Sequence, residues 1–67
     1  MCEYDVIKLM ETQRLQHGTI LFSIHHLADV SGLTTYQVRG HLDNLFRAGV
    51  VDKIPGEFDA PALWFLT

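Results

Sequence analysis

The sequence predicts an α+β fold, mainly α, in which three helices and a short strand lead to a C-terminal β-hairpin. Three observations predict it. Segments 4–16, 24–31 and 35–48 each carry apolar residues at helical spacing and each have a glycine within two residues of their end. Thr34-Thr35-Tyr36-Gln37 stands directly after Ser31-Gly32-Leu33, which joins two of those helices through a tight turn. Two apolar runs, Val50-Val51-Asp52-Lys53-Ile54 and Ala62-Leu63-Trp64-Phe65-Leu66, flank a segment opened by Pro55-Gly56 and closed by Ala60-Pro61.

In the first helix the stripe is made mainly by Val6, Met10 and the Ile7 edge, with Leu9 and Leu15 among Asp5, Lys8, Glu11, Gln13 and Arg14. His17-Gly18 ends it, glycine being suited to the left-handed cap. Thr19-Ile20-Leu21-Phe22 is β-branched and aromatic and reads as a short strand. Ser23 is the N-cap of the helix Ile24 to Ser31, whose inward residues are Ile24, Leu27 and Val30, with Gly32 as the stop.

Thr34 and Gln37 form a capping box, each side chain meeting the other's free backbone N–H, so the third helix starts at Thr35. Val38, Leu42 and Leu45 face inward, Phe46 lies beside them, and Gly49 closes the helix. Two helices joined by a short Gly-containing turn make a helix-turn-helix whose second member is the recognition helix. In the hairpin, Trp64 and Leu66 share one face and Leu63 and Phe65 the other. The first strand is placed to pair with this otherwise marginal two-stranded ribbon. The whole order is that of a winged helix-turn-helix, and residues 1–67 form one such DNA-binding domain.

Composition removes other classes. A chain of 67 residues buries only about 60% of its unfolded surface, so small domains lean on disulfides, metals or partners. The single cysteine, Cys2, rules out an internal disulfide and every multi-cysteine zinc site. An apolar fraction of 48% in a varied sequence excludes a disordered chain. The longest apolar stretch, Thr19 to Leu27, is broken by Ser23, His25 and His26 and is far short of the roughly 20 residues of a membrane span. Met1-Cys2-Glu3-Tyr4-Asp5 is acidic where a secretion signal is basic, which points to a reducing cytoplasmic setting. His25 and His26 point about 100° apart on a helix and His41 lies on the next, so no metal-ligand spacing arises. Nothing near Cys2 supplies a base or an oxyanion donor, so no enzyme, cofactor or small-molecule substrate is expected.

Thr35-Tyr36-Gln37-Val38-Arg39, Leu42, Leu45, Gly49-Val50-Val51 and Leu63-Trp64-Phe65-Leu66 together resemble the PapI/FaeA/PefI group of small fimbrial (pilus) transcription regulators of enteric bacteria. The resemblance runs from about Leu27 to Leu66. The Tyr-Gln-x-Arg opening of the third helix and the Trp-Phe-Leu of the last strand are its most specific pieces, whereas Leu27-Ala28-Asp29-Val30-Ser31-Gly32-Leu33 is shared with many helix-turn-helix proteins. What it implies is a winged helix that controls pilus operons, often in phase variation. In the best-known member it implies action with a leucine-responsive global regulator at methylation-sensitive DNA sites. One well-known relative carries arginines in the wing, where this chain has Glu57 and Asp59 and no basic residue after Lys53.

The net charge of −3 is unevenly spread: −2 over residues 1–33, +1 over 34–49 and −2 over 50–67. Since neutralisation of phosphates supplies most non-specific affinity, the positive third helix is the expected contact with promoter DNA. Arg39, Thr35 and Tyr36 are assigned to the face opposite Val38, Leu42 and Leu45. Tyr36 either leans on the core edge or meets a phosphate or base. Thr34 and Gln37 are capping-box residues first, with Gln37 an adenine reader second. Arg47 and Lys53 are candidate backbone contacts, and Gly40, unfavourable inside a helix, suits a close approach. A second reading, favoured by the acidic charge and the apolar last strand, is a winged-helix protein-interaction module; a metal sensor or enzyme ranks third.

Overall fold

The computed structural model describes residues 2–67. The elements follow as α1 (Glu3–His17), α2 (Ile24–Ser31), α3 (Thr35–Arg47), β1 (Val51–Ile54) and β2 (Leu63–Leu66). The architecture is therefore the expected one, mainly α with a C-terminal antiparallel hairpin, in which Val51 pairs with Leu66 and Ile54 with Leu63. One core is shared by all of it. Val6 and Met10 of α1, Leu27 and Ala28 of α2, Val38, Leu42 and Leu45 of α3, Phe22, Val51 and Trp64 are buried together, and the described residues include no buried polar or charged side chain.

Local chemistry sets the helix ends. Cys2 precedes α1 with its backbone N–H donating to Asp5 Oδ2 at 3.1 Å. The Ser23 hydroxyl accepts from the His26 N–H at 3.1 Å and opens α2. At the end of α2, Gly32 turns the chain with φ 76°, a left-handed conformation that a side chain would disfavour. Two residues later the capping box forms as read: Thr34 Oγ1 accepts from the Gln37 N–H at 3.1 Å, and Gln37 Oε1 accepts from the Thr34 N–H at 3.0 Å. Thr34→Ala removes the first of these bonds, so a urea melt should show a loss of about 1 kcal/mol. An unchanged midpoint with unchanged amide exchange at Gln37 would mean that the hydroxyl does not hold this end.

Three expectations need correction. The strand over 19–22 is reduced to one bridging residue, Phe22, whose N–H and C=O both bond Trp64 at 2.8 Å. Ser23 starts α2 immediately afterwards, and upstream the chain stands off β2, leaving Ile20 64% and Leu21 40% exposed. Between them and the hairpin lies an apolar cleft of about 310 Å³. In α2, Ala28 is buried and Val30 is 40% exposed. The helix turns about 100° per residue, which puts Ile24, Leu27 and Ala28 within one sector and Val30 beyond its edge. The strands also start one residue late, at Val51 and Leu63 rather than Val50 and Ala62.

The hairpin distributes its side chains as the period of two requires. Trp64 is buried and Leu66 packs against the core from the same face. Phe46, 41% exposed on α3, meets Trp64 edge-on at 6.2 Å between centroids. The Lys53 Nζ lies 5.1 Å from the Phe46 ring centre and 5.4 Å from that of Trp64. Its charge thus sits over two aromatic faces, a geometry that attracts a cation.

Candidate nucleic-acid interface

Burial of Val38, Leu42 and Leu45 fixes the rotation of α3 and so decides what it shows to solvent. Tyr36 is 85% exposed, so its ring does not lean on the core edge. It forms a ridge between two shallow hollows. One is lined by Ile24 and His25 of α2, Thr35, Tyr36 and Arg39 of α3, and Pro61 at the foot of the wing. The other is lined by Glu3 of α1 with Tyr36, Gln37, Gly40, His41 and Asn44.

Arg39 therefore faces the wing side of α3 rather than standing directly opposite the buried stripe, and its neighbour Gly40 falls on the other flank of Tyr36. At about 100° per residue, Arg39 lies roughly a quarter-turn from the inward direction, whereas Tyr36, Gly40 and Arg47 point outward. Thr35, Tyr36 and Arg39 do come together, on the first two turns of the helix. Arg39 is exposed and makes no ion pair among the described residues.

The remaining candidates are differently placed. Thr34 and Gln37 spend their oxygens on each other's N–H groups, which leaves the Gln37 Nε2 donor for a partner. Arg47 is exposed in the last turn of α3, where a cation also complements the helix carbonyls. Lys53 lies against Phe46 and Trp64, away from the wing tip. Over Gly40 nothing of the chain comes within 4 Å of where a Cβ would stand.

The sequence reading missed the surroundings of this helix. Asp43 follows Arg39 by four residues and precedes Arg47 by four, a spacing visible in the sequence that sets an acid between the two arginines. Glu3 arrives only through tertiary packing. Asn44 Nδ2 donates to Glu3 Oε1 at 2.9 Å, and His41 Nδ1 stands 3.4 Å from the same oxygen. The Asn44 amide, the Glu3 backbone N–H and His41 together hold this carboxyl below the usual carboxylate range. The Glu3 flank of α3 thus carries a carboxylate, and the opposite flank carries Arg39, which has no ion pair among the described residues.

Among the described residues, no three His, Cys, Asp or Glu side chains gather as a metal site would require. Among the same residues, no helix is long and apolar enough to cross a membrane.

Comparison with protein families gives a match over residues 22–67 to the family described as FaeA-like protein. The matched span covers the Phe22 bridge, α2, α3 and the hairpin. Comparison with curated proteins gives no match.

Proposed function

Because the chain belongs to the FaeA-like family, we propose that it regulates transcription of fimbrial (pilus) operons in the cytoplasm by binding promoter DNA through α3. The observation that carries this reading is the exposure of Thr35, Tyr36 and Arg39 on the first turns of α3, with the foot of the wing beside them. Helix-turn-helix proteins read base edges with the N-terminal turns of their second helix. In that role Arg39 offers a bidentate donor for a guanine edge or a phosphate, Tyr36 a phenol for a base or backbone oxygen, and Thr35 a hydroxyl. Thr34 and Gln37 aim the helix, while Arg47 and Lys53 supply charge to the duplex backbone. Residues 1–67 act as one DNA-binding unit, in a regulatory rather than an enzymatic role.

A net charge of −3 and an acidic wing leave the domain few phosphate contacts of its own. Useful affinity then calls for a second DNA-bound regulator, of the leucine-responsive type that the family resemblance implies. The test is fluorescence anisotropy on the DNA upstream of neighbouring pilus genes, with and without that regulator, over a range of salt concentrations. Binding that weakens steeply with salt supports the reading; a partner bound equally well without DNA, insensitive to Arg39, supports the protein-interaction module instead. The acidic wing and a fully exposed Phe58 favour that second reading.

Gly40 gives an internal control. Inside a helix, glycine costs up to about 1 kcal/mol relative to alanine, and a Cβ here meets nothing. Gly40→Ala should therefore raise thermal stability while weakening DNA binding, because the added methyl lies where the duplex backbone approaches. A stabilised variant that binds DNA as tightly as the parent would remove Gly40 from the interface.

A further inference from the structure

Two surface features lie outside the α3 face. The first is the tip of the wing. Phe58 is fully exposed and holds φ 56°, a left-handed conformation rare for a bulky residue. It sits between Glu57 and Asp59 on a turn closed by the Ala60 N–H donating to the Glu57 carbonyl at 2.9 Å. Gly56 lies so close beneath the Ala60 carbonyl that a Cβ there would collide with it. The ring is thus held out on a tight turn, at a cost in backbone strain, and among the described residues nothing covers it.

The second feature is the cleft left where Ile20 and Leu21 fail to extend the strand. Leu21, Ile54, Phe65 and Leu66 line it with Ile20, and Arg14 is the one charged residue among those that do. Its volume of about 310 Å³ is ample for a phenyl ring; an apolar cavity of about 150 Å³ takes up benzene.

We propose that the wing tip of one copy docks in this cleft of a second copy, with the Phe58 ring against the apolar floor and Glu57 and Asp59 meeting Arg14. Size and charge match on both sides: one aromatic ring with two acids beside it, one apolar cleft with a single guanidinium. The two surfaces are different patches of the same chain, so a single such contact is head-to-tail and leaves one wing tip and one cleft free. One ring and its flanks make a small interface, which places the association in the weak, transient class. If the DNA-binding reading holds, copies on neighbouring sites face each other at an effective concentration on the order of millimolar, which favours the contact. The contact itself does not depend on that reading.

The experiment contains no DNA. Sedimentation equilibrium of the purified chain up to millimolar concentration should show an average mass rising above that of the monomer. Phe58→Asn removes the ring and leaves a residue that accepts the left-handed conformation. Arg14→Glu, at an exposed position in the last turn of α1, reverses the charge at the cleft. Each variant, with its fold checked by circular dichroism, should remain monomeric. A 1:1 mixture of the two should form dimers that grow no further, because the first retains an intact cleft and the second an intact wing tip. The double variant Glu57→Lys, Asp59→Lys should be monomeric alone and should associate with Arg14→Glu. A parent chain that stays monomeric, a Phe58→Asn variant that associates like the parent, or a mixture no heavier than its components would overturn the proposal.

Discussion

Leu45→Ala should destabilise the protein by about 2 to 5 kcal/mol, the usual cost of emptying a buried leucine site. Leu45 is 6% exposed and belongs to the stripe that α3 buries against its neighbours. Its carbonyl also accepts from the Val50 N–H at 3.0 Å, at the corner where α3 gives way to β1. A void there loosens both the rotation of α3 and the start of the hairpin. Domains of this kind hold only about 5 to 15 kcal/mol in total, and a short chain lies near the bottom of that range. The variant should therefore melt far below the parent or fail to fold at 37 °C. Leu15→Ala, at a position 85% exposed on α1, should be nearly neutral and serves as the control. Equal denaturant midpoints for the two variants would mean that the core is not arranged as described.

Arg39→Ala should weaken specific DNA binding by about 1 to 3 kcal/mol if the guanidinium reads a base, and should relax preference at that base pair. If it contacts a phosphate, the loss should be similar on all sequences, and the slope of affinity against salt should fall by about one. In either case the fold should survive, since Arg39 is exposed and projects into the hollow beside Pro61. The acidic wing makes the loss harder to offset, because Glu57 and Asp59 supply no replacement charge. Anisotropy titrations of parent and variant on one promoter fragment and one scrambled fragment separate these outcomes. Unchanged binding to both would exclude α3 as the reading helix and leave the interaction-module alternative.

Features that depend on residues three or four apart were legible before any folding was known. The left-handed Gly32, the Ser23 cap and the Thr34–Gln37 box all act within one turn, and the helices begin and end within a residue or so of where those signals stand. The Val38, Leu42, Leu45 stripe was legible for the same reason, since helical spacing needs no partner to be defined. The family signature lay in the same local segments, and the match over residues 22–67 agrees with it.

Features that join distant segments were not legible in this way. Whether Thr19 to Phe22 becomes a strand depends on hydrogen bonds to residues more than forty positions away, and only Phe22 reaches Trp64. Whether Ala28 or Val30 turns inward depends on where α1 and α3 press on α2, not on which side chain is more apolar. The setting of the α3 face was equally out of reach: Glu3 arrives from α1, His25 from α2 and Pro61 from the wing, and Lys53 is drawn over Phe46 and Trp64. Capping and periodicity are written within one or two turns of chain. A strand pairing, a hollow or a cleft exists only where distant segments meet, and the packing of the whole core decides where they do.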